Sequence, residues 1–89
     1  MRHCISRTQF DRDVKRMKRR NKDVEKLLAV VFALQRNGRL PSLFRPHKLQ
    51  GEYDGLWECH IEPDWLLLYE LKFKTIFLHR TGSHTDLFK

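Results

Sequence analysis

An imidazole, two carboxylates and an aromatic ring packed into six residues have the makings of proton-transfer chemistry, and this chain has one such run. His60-Ile-Glu-Pro-Asp-Trp65 stands directly before the apolar segment Leu66-Leu-Leu-Tyr69. Two further histidines flank it, His47 upstream and His84 downstream, each in a stretch of loop character. Histidine titrates near pH ~6.5, so it can give or take a proton at neutral pH, either role contributing roughly 10²- to 10⁴-fold in rate. A neighbouring Asp64 can fix the tautomer of one imidazole, and Arg80 or Arg45 can place positive charge on an anionic transition state. Metal-free RNA cleavage would need this set: a base for the 2'-hydroxyl, an acid for the departing 5'-oxygen and a cation for the phosphorane-like transition state.

Other chemistries fit less well. Three histidines and an aspartate could hold zinc or manganese, but no pair has the His-x-x-x-His or His-Glu-x-x-His spacing of a helical metal site, so neither metal nor cofactor is expected. Cys4 and Cys59 are the two cysteines and form no Cys-x-x-Cys pattern, which argues against a disulfide framework and for a reduced, cytoplasmic setting. Trp65 opens an apolar strand and reads as core, with stacking on a base as its functional alternative. Phe88 could dock on the core or form an aromatic platform for an unstacked base.

The elements that must position these groups follow from periodicity. His3 to Ser6 could form a short strand. Thr8 and Asp11 resemble a capping box, and Phe10, Val14 and Met17 then fall on one helical face. Arg12, Lys15, Arg16, Lys18, Arg19 and Arg20 make the rest of that helix basic. Lys15, Arg16, Arg19 and Arg20 are its candidate RNA or ribosome contacts, against the plainer reading of a solvated face. Val24, Leu27, Leu28, Val31 and Leu34 predict a second helix to about Arg36, stopped by Asn37-Gly38. Arg39 to Gly55, with Pro41, Pro46, Gly51 and Gly55, reads as a long loop carrying His47. Strands are predicted over Leu56 to Ile61, Trp65 to Leu71 and Thr75 to Arg80, an antiparallel meander, and Thr81-Gly82-Ser83 leads into a short mobile tail, His84 to Lys89.

Alternation puts His60 on a face with Glu58 and Leu56, opposite Trp57, Cys59 and Ile61. If the apolar set packs on the helices, His60 points to the open face, where Asp64, His47 and His84 could join it. Cys59 turns toward the core and away from catalysis.

A chain of 89 residues has room for one hydrophobic core and hence one domain. The formal charge of +7 and pI near 9.9 favour polyanionic partners such as RNA, DNA, an acidic protein or an anionic membrane. No run reaches the roughly 18 to 20 apolar residues of a membrane span, and the start has no signal-peptide core.

Three segments together carry a resemblance to a family. Pro46-His47-Lys-Leu-Gln-Gly51, His60-Ile-Glu-Pro-Asp-Trp-Leu-Leu-Leu-Tyr69 and Arg80-Thr-Gly-Ser-His84-Thr-Asp-Leu-Phe88 are similar to the YafQ branch of RelE-type bacterial toxins. The resemblance spans the chain and is specific from His47 onward. It implies an α+β single domain over residues 1–89, with an N-terminal strand and a two-helix hairpin packed on a mainly antiparallel sheet. It also implies a ribosome-dependent endoribonuclease that cuts messenger RNA at adenine-rich lysine codons in the decoding site, leaving a 2',3'-cyclic phosphate without metal. The implied partners are a cognate antitoxin, the small ribosomal subunit and mRNA, and operator DNA only as the toxin–antitoxin complex; no membrane is implied. Family roles fall on His47, His60, Asp64, Trp65, His84 and Phe88, with His84 expected to lead the acid–base chemistry. The rival expectation is a non-catalytic module that grips RNA or the ribosome.

Overall fold

The computed structural model describes residues 1–88; Lys89, the last residue of the expected tail, lies outside the described residues. The chain forms strand β1 (His3–Ser6), helices α1 (Thr8–Arg19) and α2 (Val24–Asn37), strands β2 (His47–Lys48), β3 (Trp57–Glu62), β4 (Trp65–Lys72) and β5 (Thr75–Gly82), and a closing turn of helix, α3 (His84–Leu87). The five strands make one sheet in the order β1-β5-β4-β3-β2. β1 runs parallel to β5, and every other neighbour is antiparallel. This is an α+β domain with a mainly antiparallel sheet. No helix among the described residues is long and apolar enough to cross a membrane.

The helix starts and stops have local causes. The expected Thr8–Asp11 capping box does not form: Arg7 is the N-cap of α1, without a side-chain cap bond. The Arg7 amide is still donating to Leu78 of β5 at 2.9 Å, and its carbonyl already accepts from Asp11. The chain thus passes from sheet to helix in one residue, and Thr8 falls inside the helix. α2 is capped as its sequence suggests, with the Asp23 carboxylate accepting from the Glu25 amide and Gly38 left-handed at φ 72°. A Cβ at Gly38 would lie 2.6 Å from the Arg2 guanidinium, so the position also admits that side chain. On α2 the buried set is Leu27, Val30, Val31 and Leu34, whereas Leu28 is 54 % exposed.

β4 explains why its sequence is almost continuously apolar. Trp65, Leu67 and Tyr69 pack with Phe10, Met17 and the α2 stripe on the helix side. Leu66 and Leu68 form a second, smaller core with Leu87, flanked by Leu49, Tyr53, Leu56 and Phe88. The strand is covered on both faces, the second time by the loop and the chain's end. The segment expected as loop, residues 39–55, is therefore better ordered than predicted. It carries two 3₁₀ turns and β2, whose His47 pairs with Glu58 of β3.

Asp13 was not anticipated. Its side chain is 0 % exposed in the middle of the basic helix. One carboxylate oxygen accepts Arg80 Nε at 2.7 Å and the Thr81 amide at 3.1 Å. The other accepts Arg80 Nη2 at 3.3 Å and pairs with Arg16 at 3.0 Å. A bulge in β5, where Leu68 faces Arg80 but Tyr69 faces Leu78, makes this possible. The extra residue turns Thr81 into the core beneath Trp65 and swings Arg80 out to the edge, where α1 meets it.

Removing one partner of a buried ion pair strands the other, a loss of roughly 3 to 5 kcal/mol. Asp13→Ala is expected to lower urea stability by about that amount, with Asp13→Asn intermediate. A loss below about 1 kcal/mol, the scale of a surface pair, would refute this role.

Candidate functional site

The face of β3 turned from the helices carries Glu58 and His60, as alternation predicted, with His47 brought alongside by the β2 pairing; the face is not open as expected, the His60 side chain being only 11 % exposed. Glu58 is nearly buried and is the group that sequence reasoning missed. Its Oε1 lies 3.2 Å from His47 Nε2 and 3.5 Å from His60 Nε2, so one carboxylate serves two imidazoles. An acidic residue on the same strand face as His60 was the available signal. His47 Nδ1 donates to the Arg45 carbonyl at 3.1 Å, so both ring nitrogens face acceptors. Arg45 has φ 49°, a left-handed position that bends the chain from a 3₁₀ turn into β2. Its guanidinium reaches back to His60 Nδ1 at 3.2 Å, while that same nitrogen lies 3.2 Å from the Pro63 carbonyl. A neutral Nδ1 accepts from Arg45 and a protonated one donates to Pro63, so the two contacts exclude each other.

His84 approaches from the other side. It opens α3, whose N-cap Ser83 and third residue Asp86 form a full capping box. Asp86 in turn takes two bonds from Arg20, at 2.7 and 3.0 Å, and Leu87 is buried in the second core. The expected mobile tail is thus a docked, capped turn. His84 Nδ1 donates to Asp64 Oδ1 at 2.8 Å, and the same oxygen accepts the His84 amide at 2.9 Å. Those two bonds, the amide first, hold the Asp64 carboxyl below its ordinary value. With the proton fixed on Nδ1, Nε2 carries the lone pair of the neutral ring. The His84 and His60 rings stand 5.9 Å apart between centroids, tilted by 45°.

The remaining expected residues divide. Phe88 meets Tyr53 edge-on at 5.3 Å and lies 6.2 Å from the His84 ring, so it is anchored by the second core and also borders the site. Trp65 is not a base-stacking surface: it is 0 % exposed on the helix side, its Nε1 donating to Thr81 Oγ1 at 2.9 Å. The Arg80 guanidinium is tied to Asp13 by two hydrogen bonds, from Nε and Nη2, so the fold sets its position. Of the basic-helix candidates, Arg16 and Arg20 are turned to structure, Arg16 on Asp13 and the Thr81 carbonyl and Arg20 on Asp86. Lys15 and Arg19 are exposed and make no ion pair among the described residues. Burial pushes the Cys59 thiol up to about 12, so it carries no nucleophilic thiolate at neutral pH.

Two half-exposed imidazoles, His47 and His84, and the more enclosed His60, each paired with a carboxylate on the rim of a small basic α+β domain, make a site suited to acid–base chemistry on a polyanion. Comparisons with known proteins identify the family. The family model described as the bacterial toxin of the type II toxin–antitoxin system, YafQ, matches residues 2–89. The mRNA interferase toxin YafQ of Escherichia coli K12 is 41 % identical over 81 residues, covering 90 % of this chain and 88 % of its own. The crystal structure of the E. coli DinJ–YafQ complex contains a chain 38 % identical, with full coverage of both chains and a TM-score of 0.91. A metal-bound toxin from Helicobacter pylori is 36 % identical, with a TM-score of 0.89 over 99 % of this chain and 100 % of its own. The chain belongs to the YafQ family of bacterial type II toxin–antitoxin toxins.

The docking of α3 carries a pH dependence of known sign. Asp64 is lowered by His84, and Asp86 is lowered chiefly by Arg20, against an opposing effect of burial, and further by the Ser83 amide. A depressed folded pKa gives stability that is complete above the ordinary value of 3.8 and lost as pH falls below it. Hydrogen-exchange protection of the Leu87 and Phe88 amides, which bond the Ser83 and His84 carbonyls, is expected to persist from pH 7 down to about 4.5 and to be lost only in stronger acid. Undocking near pH 6 would contradict the assignment.

Proposed function

We propose that this toxin inhibits translation by cutting messenger RNA in the decoding site of the ribosome, through metal-independent acid–base catalysis by its histidine cluster. As a YafQ-family mRNA interferase it is an endoribonuclease. The observation that carries the mechanism is the Asp64–His84 pair facing His60 across 5.9 Å. Nε2 of His84 takes the proton of the 2'-hydroxyl, the 2'-oxygen attacks phosphorus, and the bond to the 5'-oxygen breaks. His60, with Glu58 beside its Nε2, gives a proton to that leaving oxygen. The products are a 2',3'-cyclic phosphate and a 5'-hydroxyl end. Arg45, already within 3.2 Å of His60, and His47 supply charge and hydrogen bonds to the phosphoryl oxygens. Phe88 borders the pocket for the base. Adenine-rich lysine codons are the expected targets.

The DinJ–YafQ structures of E. coli support a cognate antitoxin as this toxin's partner too. Operator DNA is met only by the toxin–antitoxin complex. The toxin's site of action is the small ribosomal subunit in the cytoplasm. Of the four candidates on α1, Lys15 and Arg19 are left to meet ribosomal RNA, beside the equally exposed Arg12 and Lys18.

His84→Ala is expected to lower cleavage by about 10²- to 10⁴-fold while ribosome association persists. Mapping of 5' ends on an mRNA, with and without programmed ribosomes and in EDTA, tests the whole reading. Cuts in codon frame that need ribosomes and survive EDTA support it. Cuts abolished by EDTA would bring in metal, and an absence of cuts by the native protein would leave a binding module.

The two halves of the basic helix should behave differently. Charge reversal at Lys15 and Arg19 is expected to weaken ribosome association several-fold, with cleavage at saturating ribosomes retained. Arg20→Ala, which frees Asp86, should lower the turnover of bound mRNA instead. Identical behaviour of the two variants would show that Arg20 acts only as surface charge.

A further inference from the structure

Lys72 pairs with Thr75 across the β4–β5 turn, so Phe73 and Lys74 form its two-residue tip. Phe73 sits at φ 50°, in the left-handed region where glycine, asparagine or aspartate is favoured and a bulky side chain is strained. Its ring is 99 % exposed. The residue thus bears backbone strain and full hydration of an apolar ring, and no contact within the fold offsets either. Strain held at an exposed position points to an interaction outside the chain.

The surroundings specify the chemistry of that interaction. Phe73 and Lys74 line a cleft of about 320 Å³ with Met1, Arg2 and Arg36, and Lys72 directly precedes the tip. Of these four cations Lys72 is partly neutralised by Glu70 at 3.4 Å, a carboxylate it shares with His79. Arg2 spends its guanidinium on the Gln35 and Arg36 carbonyls at the end of α2, and Arg36 lies over the Phe32 ring. Lys74 forms no ion pair among the described residues. An accessible aromatic face ringed by net positive charge is the pairing that holds an unstacked base and its phosphates.

We propose that the β4–β5 tip is a second RNA contact, in which Phe73 stacks on an unpaired base of a structured RNA while Lys74 and its neighbours meet the phosphates. The proposal rests on the preceding reading only in taking RNA as the polyanion this protein meets. β4 is eight residues long, so at roughly 3.3 Å per residue the tip stands about 25 Å from the Asp64 end of the strand. The base it takes therefore lies apart from the two nucleotides being separated. Two contacts that far apart would hold the toxin on folded RNA more firmly than the histidine cluster alone, without adding to the chemistry.

The test uses a labelled RNA stem with an unpaired adenosine loop, 2'-O-methylated so that it cannot be cut, beside a fully paired stem of equal length. Phe73→Asn removes the ring and suits the left-handed backbone. It is expected to weaken binding of the looped stem by about five- to tenfold, to leave the paired stem unchanged and not to lower the melting temperature. Lys74→Glu should weaken both stems and flatten the salt dependence. Amide shifts of Phe73 and Lys74 should move on addition of the looped stem. Equal binding by Phe73→Asn and native protein, unmoved tip signals, or no binding of the looped stem by the native protein would each overturn the proposal. Native protein that binds the loop through Phe73 yet fails to cut mRNA on ribosomes would instead defeat the catalytic reading and leave this one standing.

Discussion

The buried carboxylate of Asp13 is the constraint from which the working end of this molecule is built. A charge without solvent is costly unless its hydrogen-bonding capacity is filled, and Asp13 fills its own with Arg80, Arg16 and the Thr81 amide. Meeting that demand fixes the end of β5 against α1. Thr81, so held, bridges Trp65 Nε1 and the Leu66 carbonyl, binding β5 to the start of β4. Two residues later the chain turns into α3 and delivers His84. The ion pairs of Arg16 and Arg20 extend the same arrangement outward, so the basic helix is in large part a clamp on the chain's end.

Much of the fold could be read because helices and strands of this size follow their periods. The α1 stripe, the glycine stop of α2, the meander of the last three strands and the outward face of His60 all rest on local patterns. What could not be read depends on contacts between residues far apart in the chain. Asp13 looks like any polar residue of an exposed helix until Arg80 and Thr81 arrive. β2 is two residues long and exists only because β3 offers an edge. The bulge in β5 left one trace, the charged Arg80 in phase with Ile76 and Leu78, where an unbroken strand would have put an apolar side chain.

The site was legible to a similar depth. His47, His60, Asp64 and His84 do gather on one rim, but their groupings were not visible in sequence. Asp64 belongs to His84, and Glu58 belongs to His47 and His60. Each imidazole is thereby oriented by a carboxylate rather than left to rotate in solvent. Trp65 looked double-natured in sequence and proved to be core, because the strand it opens is covered on its own side by the helices.

The parallel pairing of β1 with β5 bears on how the toxin comes into being. Those strands lie at opposite ends of the chain, as do Asp13 and the Thr81 amide it accepts, 68 residues apart. Contacts of such long separation carry a large loop-closure entropy and slow folding. His47, His60 and Glu58 meet through neighbouring strands, but His84 joins them only where the distant ends are docked. Local opening of either end would therefore carry His84 away and leave the other two imidazoles behind.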